Sequence, residues 1–347
     1  MKIAFFNIYE ELNKNNFLFI NNNVSIGDNL LTPMVRLKEY ANSKDIEVGT
    51  TDVITIDEAD AIVFIDMPKI NHKTLLDAIN SKKNLYLLAL ESPLVTPRSY
   101  DKVNHSLFKK VFTWNDELIK EDPSKYIKIN YAYDIPKSIN KNLTSKSKLC
   151  CIISGNKKVS YENELYSQRL EAIKWFEKYH VEDFDLYGTG WSEVVFGENK
   201  YINYILRRNR FLREFFATHR PSYKGKVERK KSILEKYKFS ICYENARDIP
   251  GYITEKIFDC FFAGCVPIYW GADNIIEHIP KECFIDKREF DTYEKLYKYM
   301  INMSDEEYMK YLDSIEIFLN SELFYPFSTD YYSKIIIQII NLNKGSL

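Results

Sequence analysis

No stretch of this 347-residue chain approaches the ~18–20 consecutive apolar residues of a membrane span, and the longest tail run, Ile335 to Ile340, is broken by Gln338. Charge of one sign is not in excess either. With 48 Lys+Arg against 49 Asp+Glu the net charge is -1, so no global pull toward nucleic acid or a membrane surface follows. Only 11 Gly and 11 Pro, with 45% hydrophobic residues, exclude a disordered or fibrous chain. The six cysteines (Cys150, Cys151, Cys242, Cys260, Cys265, Cys283) form no C-x-x-C pair and most sit in apolar runs. They read as buried free thiols, which favours a reducing compartment. The opening Met1-Lys2-Ile3-Ala4-Phe5-Phe6-Asn7 turns polar too soon for a signal peptide, so a cytoplasmic location is expected.

Several motifs are missing as well. No G-x-x-x-x-G-K-[ST] phosphate loop is present, so Asp57-Glu58-Ala59-Asp60 is an acidic turn before a strand rather than a helicase box. The five histidines (His72, His105, His180, His219, His278) have no H-E-x-x-H or other ligand spacing, which makes zinc unexpected. Asp183-Phe184-Asp185 has the D-x-D spacing that holds Mn²⁺ or Mg²⁺ against a diphosphate in many sugar transferases. No histidine or third acid stands near it, and surface acids are the expected reading. Aromatics are plentiful, with 26 Tyr, 22 Phe and 4 Trp, enough for a core and for a cleft that binds sugars or bases.

Length points to about two domains at ~100–200 residues each. Ile3 to Ile8, Ala61 to Ile65 and Leu85 to Leu90 are short apolar runs typical of buried parallel strands. Thr32-Pro33 opens one helix as N-cap and first position, and Thr74 to Ile79 suits another. Val111 to Trp114 and Ile127 to Ala132 complete a first block, and polar Lys137 to Lys148 reads as a linker. Asn-rich Asn13 to Asn23 is expected as a loop near the cleft. A second block alternates strands at Leu149 to Ile153, Phe184 to Tyr187, Phe239 to Tyr243 and Cys265 to Trp270 with helices at Asn163 to Tyr179 and Ile253 to Phe262. Three closing helices are expected near Tyr293–Met303, Asp305–Leu319 and Thr329–Asn341. This pattern predicts two doubly wound α/β domains, residues 1–140 and 149–325, with a cleft between them and a C-terminal helix at 326–347.

From Arg207 to Lys231 ten basic residues meet only Glu214 and Glu228, and Tyr204, Ile205, Phe211, Leu212, Phe215 and Phe216 interleave with them. A solvated helical face is the plainest account. A basic amphipathic helix on an anionic membrane, through 204–231, comes next. Nucleic acid is not expected, because no binding motif accompanies the patch.

The densest chemistry lies in Tyr237-Lys238-Phe239-Ser240-Ile241-Cys242-Tyr243-Glu244-Asn245, Gly251-Tyr252-Ile253-Thr254-Glu255-Lys256 and Gly264-Cys265-Val266-Pro267-Ile268-Tyr269-Trp270-Gly271. A buried strand ends in Glu-Asn, turns at Pro250-Gly251 and enters a helix whose start bears Thr, Glu and Lys. Polar groups there, beside a helix N-terminus, suit a nucleotide diphosphate. Lys256 and free N–H groups can hold phosphate oxygens, while Glu255 and Asn245 can bind hydroxyls. Any one of these residues alone would be an ordinary cap or ion pair.

This series resembles the donor-site signature of the α-1,3/4-fucosyltransferases, glycosyltransferase family 10, in a soluble bacterial or viral form. Glu91-Ser92-Pro93 through Pro97 resembles the family's E-S-P-x-x-x-P motif, and Thr113-Trp114-Asn115 the strand after it. Ser154-Gly155-Asn156 with Arg169 resembles the start of the donor domain. The resemblance implies the two-domain GT-B fold, with residues 1–140 binding the acceptor and 149–325 the GDP-sugar. It also implies an inverting enzyme that moves L-fucose from GDP-β-L-fucose to a GlcNAc- or Glc-type acceptor glycan. By the same resemblance Glu91 matches the general base, and Arg169 and Lys256 the cations on the diphosphate. Ser154 and Gly155 match the phosphate-side loop, Asn245, Tyr252 and Glu255 the groups around nucleotide and fucose, and Trp114 an acceptor-side aromatic. Two fixed cations can stabilise departing GDP, so no essential divalent metal or other cofactor is expected. Another GDP-deoxysugar donor, or a catalytically inactive glycan- or nucleotide-binding module, remains as an alternative.

Overall fold

The computed structural model describes residues 1–20, 31–191 and 220–343. Two six-stranded sheets carry the chain, and every pairing in them is parallel. The first contains β1 (Lys2–Asn7), β2 (Glu47–Thr50), β3 (Ala61–Ile65), β4 (Asn84–Ala89), β5 (Lys110–Thr113) and β6 (Tyr126–Lys128), in the order β2-β1-β3-β4-β5-β6. The second contains β7 (Lys148–Ile153), β8 (Phe184–Tyr187), β9 (Tyr223–Gly225), β10 (Tyr237–Tyr243), β11 (Val266–Trp270) and β12 (Ile285–Asp286), ordered β12-β11-β10-β7-β8-β9. The apolar runs read from sequence are the central strands, and β3 is buried at all five positions because helices cover both faces. These are the two Rossmann-like sheets of a GT-B architecture.

The edge strands β2, β9 and β12 were not expected. They are two to four residues long and carry no apolar run. The segment expected as an Asn-rich loop forms the short helices Glu10–Asn16 and Phe17–Ile20, and Leu18 and Phe19 are buried in the first core. Residues 21–23 of it lie outside the described residues.

The closing helix Thr329–Leu342 returns to the first sheet. Its Tyr332, Ile336, Ile337 and Ile340 are buried with Met34 and Leu37 of the helix Thr32–Asn42. Tyr133 and Ser328 form a parallel bridge, so the outgoing and returning crossings of the chain run side by side.

A seam joins the two units. Trp114 from the first is buried with Ala246, Ile249 and Tyr252 from the second, and the Trp114 and Tyr252 rings lie 4.7 Å apart, a pair of the kind that contributes about 0.5–1.5 kcal/mol. Beside it the Asp116 carboxylate accepts from Lys128 at 2.6 Å, His278 at 2.8 Å and Asn274 at 2.9 Å. Gly251 sits between them at φ +80°, where a Cβ would fall 2.3 Å from the Trp114 carbonyl oxygen. Only glycine allows the units to close here.

Candidate active site

In the second sheet the strand order reverses between β7 and β10, and ligands of doubly wound folds bind beyond the carboxyl ends of strands at such a point. Ser154 and Gly155 follow β7, and Glu244 and Asn245 follow β10. The Ser154 carbonyl accepts from Trp191 Nε1 at 2.7 Å, while its hydroxyl is buried without a partner among the described residues. Gly188, at φ +130°, backs this loop so closely that a Cβ would lie 1.9 Å from the Ser154 carbonyl oxygen.

Arg169 reaches the same crevice from the helix Tyr166–Tyr179. It is 5% exposed, and its guanidinium donates to the Tyr243 carbonyl at 2.7 Å and Asn245 Oδ1 at 3.1 Å and lies over the Tyr166 ring at 4.9 Å. Among the described residues no carboxylate forms an ion pair with it. Burial pushes its pKa down, as expected of a cation held without an anion.

Lys256 is placed differently. Its ammonium lies 3.0 Å from Glu244 and 3.5 Å from Glu255, at the start of the helix Glu255–Phe262. Glu244 is fully buried and also accepts from the Thr254 N–H at 2.8 Å and the Thr254 hydroxyl at 2.7 Å. Behind Glu255 stands Lys230, 3.8 Å away and 2.6 Å from Asp259. Charges therefore alternate along Glu244, Lys256, Glu255, Lys230 and Asp259. Burial acts to raise the Glu255 pKa, but Lys256 and Lys230 outweigh it and hold the carboxyl at about 2. Glu255 is thus an anion at any working pH.

Glu91 comes to the cleft from the first unit, just past β4. The Tyr9 hydroxyl donates to its Oε1 at 3.3 Å. Burial raises the Glu91 pKa, Tyr9 lowers it, and the charges that reach it next are Glu255, Lys256 and Lys157, all on the second unit. An acid from one sheet thus faces the ion series of the other. Such a carboxylate can take a proton from a hydroxyl held between the units, and buried cations beyond the second sheet can receive a diphosphate.

Two expected residues are buried where the units meet. Trp114 is fully buried in the seam, its indole N–H donating to the Leu90 carbonyl at 2.8 Å. Expected on the acceptor side, it is here covered by Tyr252 and Tyr100. Tyr252, expected at the nucleotide, is 1% exposed against Trp114, and the charges of Lys256, Glu244 and Glu91 reach it. The D-x-D acids are engaged away from the crevice: Asp183 accepts from Tyr297 at 2.7 Å, and Asp185 holds Lys148, Tyr237 and Lys224. Glu244, Lys230, Asp259 and Tyr9 were not singled out for the site. Lys230 lay hidden in the basic run, whose residues 204–219 fall outside the described residues. Among the described residues no helix is long and apolar enough to cross a membrane.

The comparison with known families follows this geometry. The profile described as Glycosyltransferase family 10 (fucosyltransferase) C-term matches residues 143–320, which hold Ser154, Arg169, Asn245, Glu255 and Lys256. The chain belongs to glycosyltransferase family 10. Among curated relatives, the α-(1,3)-fucosyltransferase FucT of Helicobacter pylori is 34% identical over 74 residues, 21% of this chain and 15% of that protein. The mouse 4-galactosyl-N-acetylglucosaminide 3-alpha-L-fucosyltransferase 9 is 24% identical over 65% of this chain and 51% of its own. The first curated relatives are thus matched over less than a fifth of their own length. A crystal structure of an α1,3-fucosyltransferase with GDP-fucose has a TM-score of 0.57 at 14% identity, covering 98% of this chain and 90% of the other. The DNA-modifying β-glucosyltransferase reaches 0.56 at 13% identity, over 98% and 99%. Both likenesses bear on the fold, which is the one this family member adopts.

Proposed function

We propose that this family 10 member is an inverting fucosyltransferase that moves L-fucose from GDP-β-L-fucose to a hydroxyl of a GlcNAc- or Glc-type acceptor glycan, in α-1,3 linkage. One observation carries the reading: Arg169 is a buried cation without a carboxylate partner among the described residues, at the reversal of a doubly wound sheet. A buried charge is costly unless paired, and a diphosphate is the anion that completes it. The names of the Helicobacter pylori and mouse relatives, and the fold neighbour solved with GDP-fucose, support the donor and the linkage.

In this reaction Glu91 accepts the proton of the acceptor hydroxyl, and that oxygen forms its bond to the anomeric carbon on the face opposite GDP. The bond from that carbon to the phosphate oxygen breaks, GDP leaves with the electron pair, and configuration inverts. Arg169, Lys256 and the Ser154 hydroxyl stabilise the charge on the leaving group. Glu255, ionised beside the sugar, favours the positive charge of an oxocarbenium-like transition state. The two cations are fixed by the protein, so the reading needs no divalent metal. Contact of the basic segment 204–231 with an anionic membrane surface at the cytoplasmic face is part of the proposal, apart from Lys230, which pairs with Asp259 and faces Glu255. Liposome co-sedimentation tests that part, against a variant neutralised at Arg207, Arg208, Arg210 and Arg213; equal sedimentation would remove it.

The test of the function is mass-spectrometric detection of transfer from a panel of GDP-sugars to N-acetyllactosamine, lactose and simple glycosides. A product heavier by one deoxyhexose from GDP-fucose is expected. Transfer from a different GDP-deoxysugar alone, or GDP binding without transfer to any acceptor, would overturn the reading.

A further inference from the structure

Past β4 the backbone leaves the sheet, and its polar groups need new partners. All four at Leu90 and Glu91 are taken by side chains. The Leu90 N–H donates to Asp66 Oδ1 at 3.1 Å, and the Glu91 N–H to the two oxygens of the same carboxylate at 3.2 and 3.3 Å. The Leu90 carbonyl accepts from Trp114 at 2.8 Å and Tyr131 at 2.6 Å, and the Glu91 carbonyl from Tyr100 at 2.6 Å. Asp66 also accepts from the Ser99 hydroxyl at 3.1 Å and the Thr96 hydroxyl at 3.4 Å. It follows directly on β3, is 2% exposed, and holds φ at +59°, a left-handed conformation that few non-glycine residues adopt. Among the described residues no cation pairs with it.

We propose that Asp66 is the positioning residue of the acceptor base: its carboxylate fixes the Leu90–Glu91 backbone, hence the place of the Glu91 carboxylate in the cleft, and sets a second negative charge behind it. This inference rests on the reading of Glu91 as the base. A base displaced by about 1 Å loses on the order of 10²-fold in rate. The charge behind Glu91 also makes it a stronger proton acceptor once Asp66 ionises. The ionisable groups facing Asp66 are Glu91, Tyr9, Tyr100 and Tyr332, from four different elements or loops. Those facing Glu91 include Tyr9, Glu255, Lys256 and Lys157. Burial and the Glu91 charge raise Asp66 to about 7, so the pair loses its protons in two steps, the second near neutrality.

The test is the pH profile of kcat for the full chain at saturating donor and acceptor. The wild type should rise a second time near pH 7, where Asp66 ionises. Asp66→Asn should abolish that rise and lower kcat roughly 10²-fold, while GDP affinity, set by the other unit, stays unchanged. Ser99→Ala keeps Asp66 but removes a bond that favours its anion, so the rise should move to higher pH; it decides the matter even if Asp66→Asn does not fold. A purely structural role would lower kcat and melting temperature together and leave the rise in place. Near-normal kcat in Asp66→Asn, or an unmoved rise in Ser99→Ala, would overturn the inference. Glu91→Gln is measured in parallel: if it keeps turnover, the base reading itself falls, whereas its loss beside a normal Asp66→Asn sinks only the role of Asp66.

Discussion

The Lys230 ammonium stands 3.8 Å from Glu255 Oε1, the same oxygen that the Lys256 ammonium approaches at 3.5 Å. Glu255 is therefore held by two cations at one oxygen, and it stays charged. Replacing Lys230 by Met should loosen this clamp and leave Arg169 untouched. The expected result is a lower kcat with GDP affinity nearly unchanged, read by steady-state kinetics beside calorimetry. Loss of GDP affinity as large as that of an Arg169 variant would place Lys230 on the diphosphate instead.

Asp259, the other partner of Lys230, gives a stability prediction. Burial raises its pKa to about 7, from an ordinary 3.8. A carboxyl raised in the folded state binds its proton more tightly there than in the unfolded chain. Its contribution is therefore complete below the ordinary value and lost as pH rises through about 7. Glu255 acts in the opposite sense: held at about 2, it contributes above its ordinary 4.5 and loses that contribution as pH falls toward 2. The melting temperature should thus fall between mildly acidic and mildly alkaline pH, and fall less in Asp259→Asn. Asp66 titrates in the same direction in both proteins, so the difference isolates Asp259. Parallel curves for the two proteins would refute the shift.

Arg169 leads to a binding prediction. Charge-assisted hydrogen bonds are worth about 1.5–3 kcal/mol, so Arg169→Ala should weaken GDP binding roughly 10- to 100-fold. Arg169→Lys should recover little of it, because one compact ammonium cannot span the Tyr243 carbonyl, Asn245 and a phosphate together. Wild-type GDP binding should persist with EDTA present. A strict requirement for Mn²⁺ or Mg²⁺ in the calorimeter would overturn the reading of two fixed cations.

Lys256 should behave unlike Arg169, because it already has an anion. Lys256→Ala leaves Glu244 buried and unpaired, which typically costs about 3–5 kcal/mol of stability. Lys256→Met combined with Glu244→Gln removes both charges and should restore much of the melting temperature while transfer stays impaired. If the double variant is as unstable as Lys256→Ala, the ion pair is not what Lys256 supplies to the fold.

How much of this was legible in the sequence depended on how local each feature is. The strands β3, β4, β7, β10 and β11 announce themselves as apolar runs. The order Glu-Asn, Thr-Glu-Lys after β10 likewise pointed to the crevice beyond β7 and β10. What stayed hidden is set by contacts between distant segments. Asp66 carries no motif, and its importance comes from accepting the N–H groups of residues more than twenty positions away. Lys230 belongs to a basic run, yet Asp259 and Glu255 face it and draw it to the site. Trp114 follows a strand as an acceptor-side aromatic should, but the second unit closes over it through Tyr252 and Gly251.

Glu91 separates catalysis from binding. It reaches the cleft from the first unit, and the groups that hold GDP in the proposed reaction all belong to the second. Burial raises its pKa, so it is a stronger base than an exposed glutamate, and its proton must leave before it can act. kcat should therefore fall as pH drops through that raised value, a limb separate from the second rise near pH 7 that Asp66 brings. General-base catalysis contributes about 10²–10⁴-fold, and Glu91→Gln, with the same shape and no proton affinity, should lose that much in kcat while GDP affinity changes little. Tyr9→Phe, which removes the 3.3 Å bond that lowers the Glu91 pKa, should move the acid limb to higher pH. Near-normal turnover of Glu91→Gln at saturating acceptor would mean that another group takes the proton. Glu10 and Glu11, just beyond β1 in the same unit, are then the carboxylates to replace next.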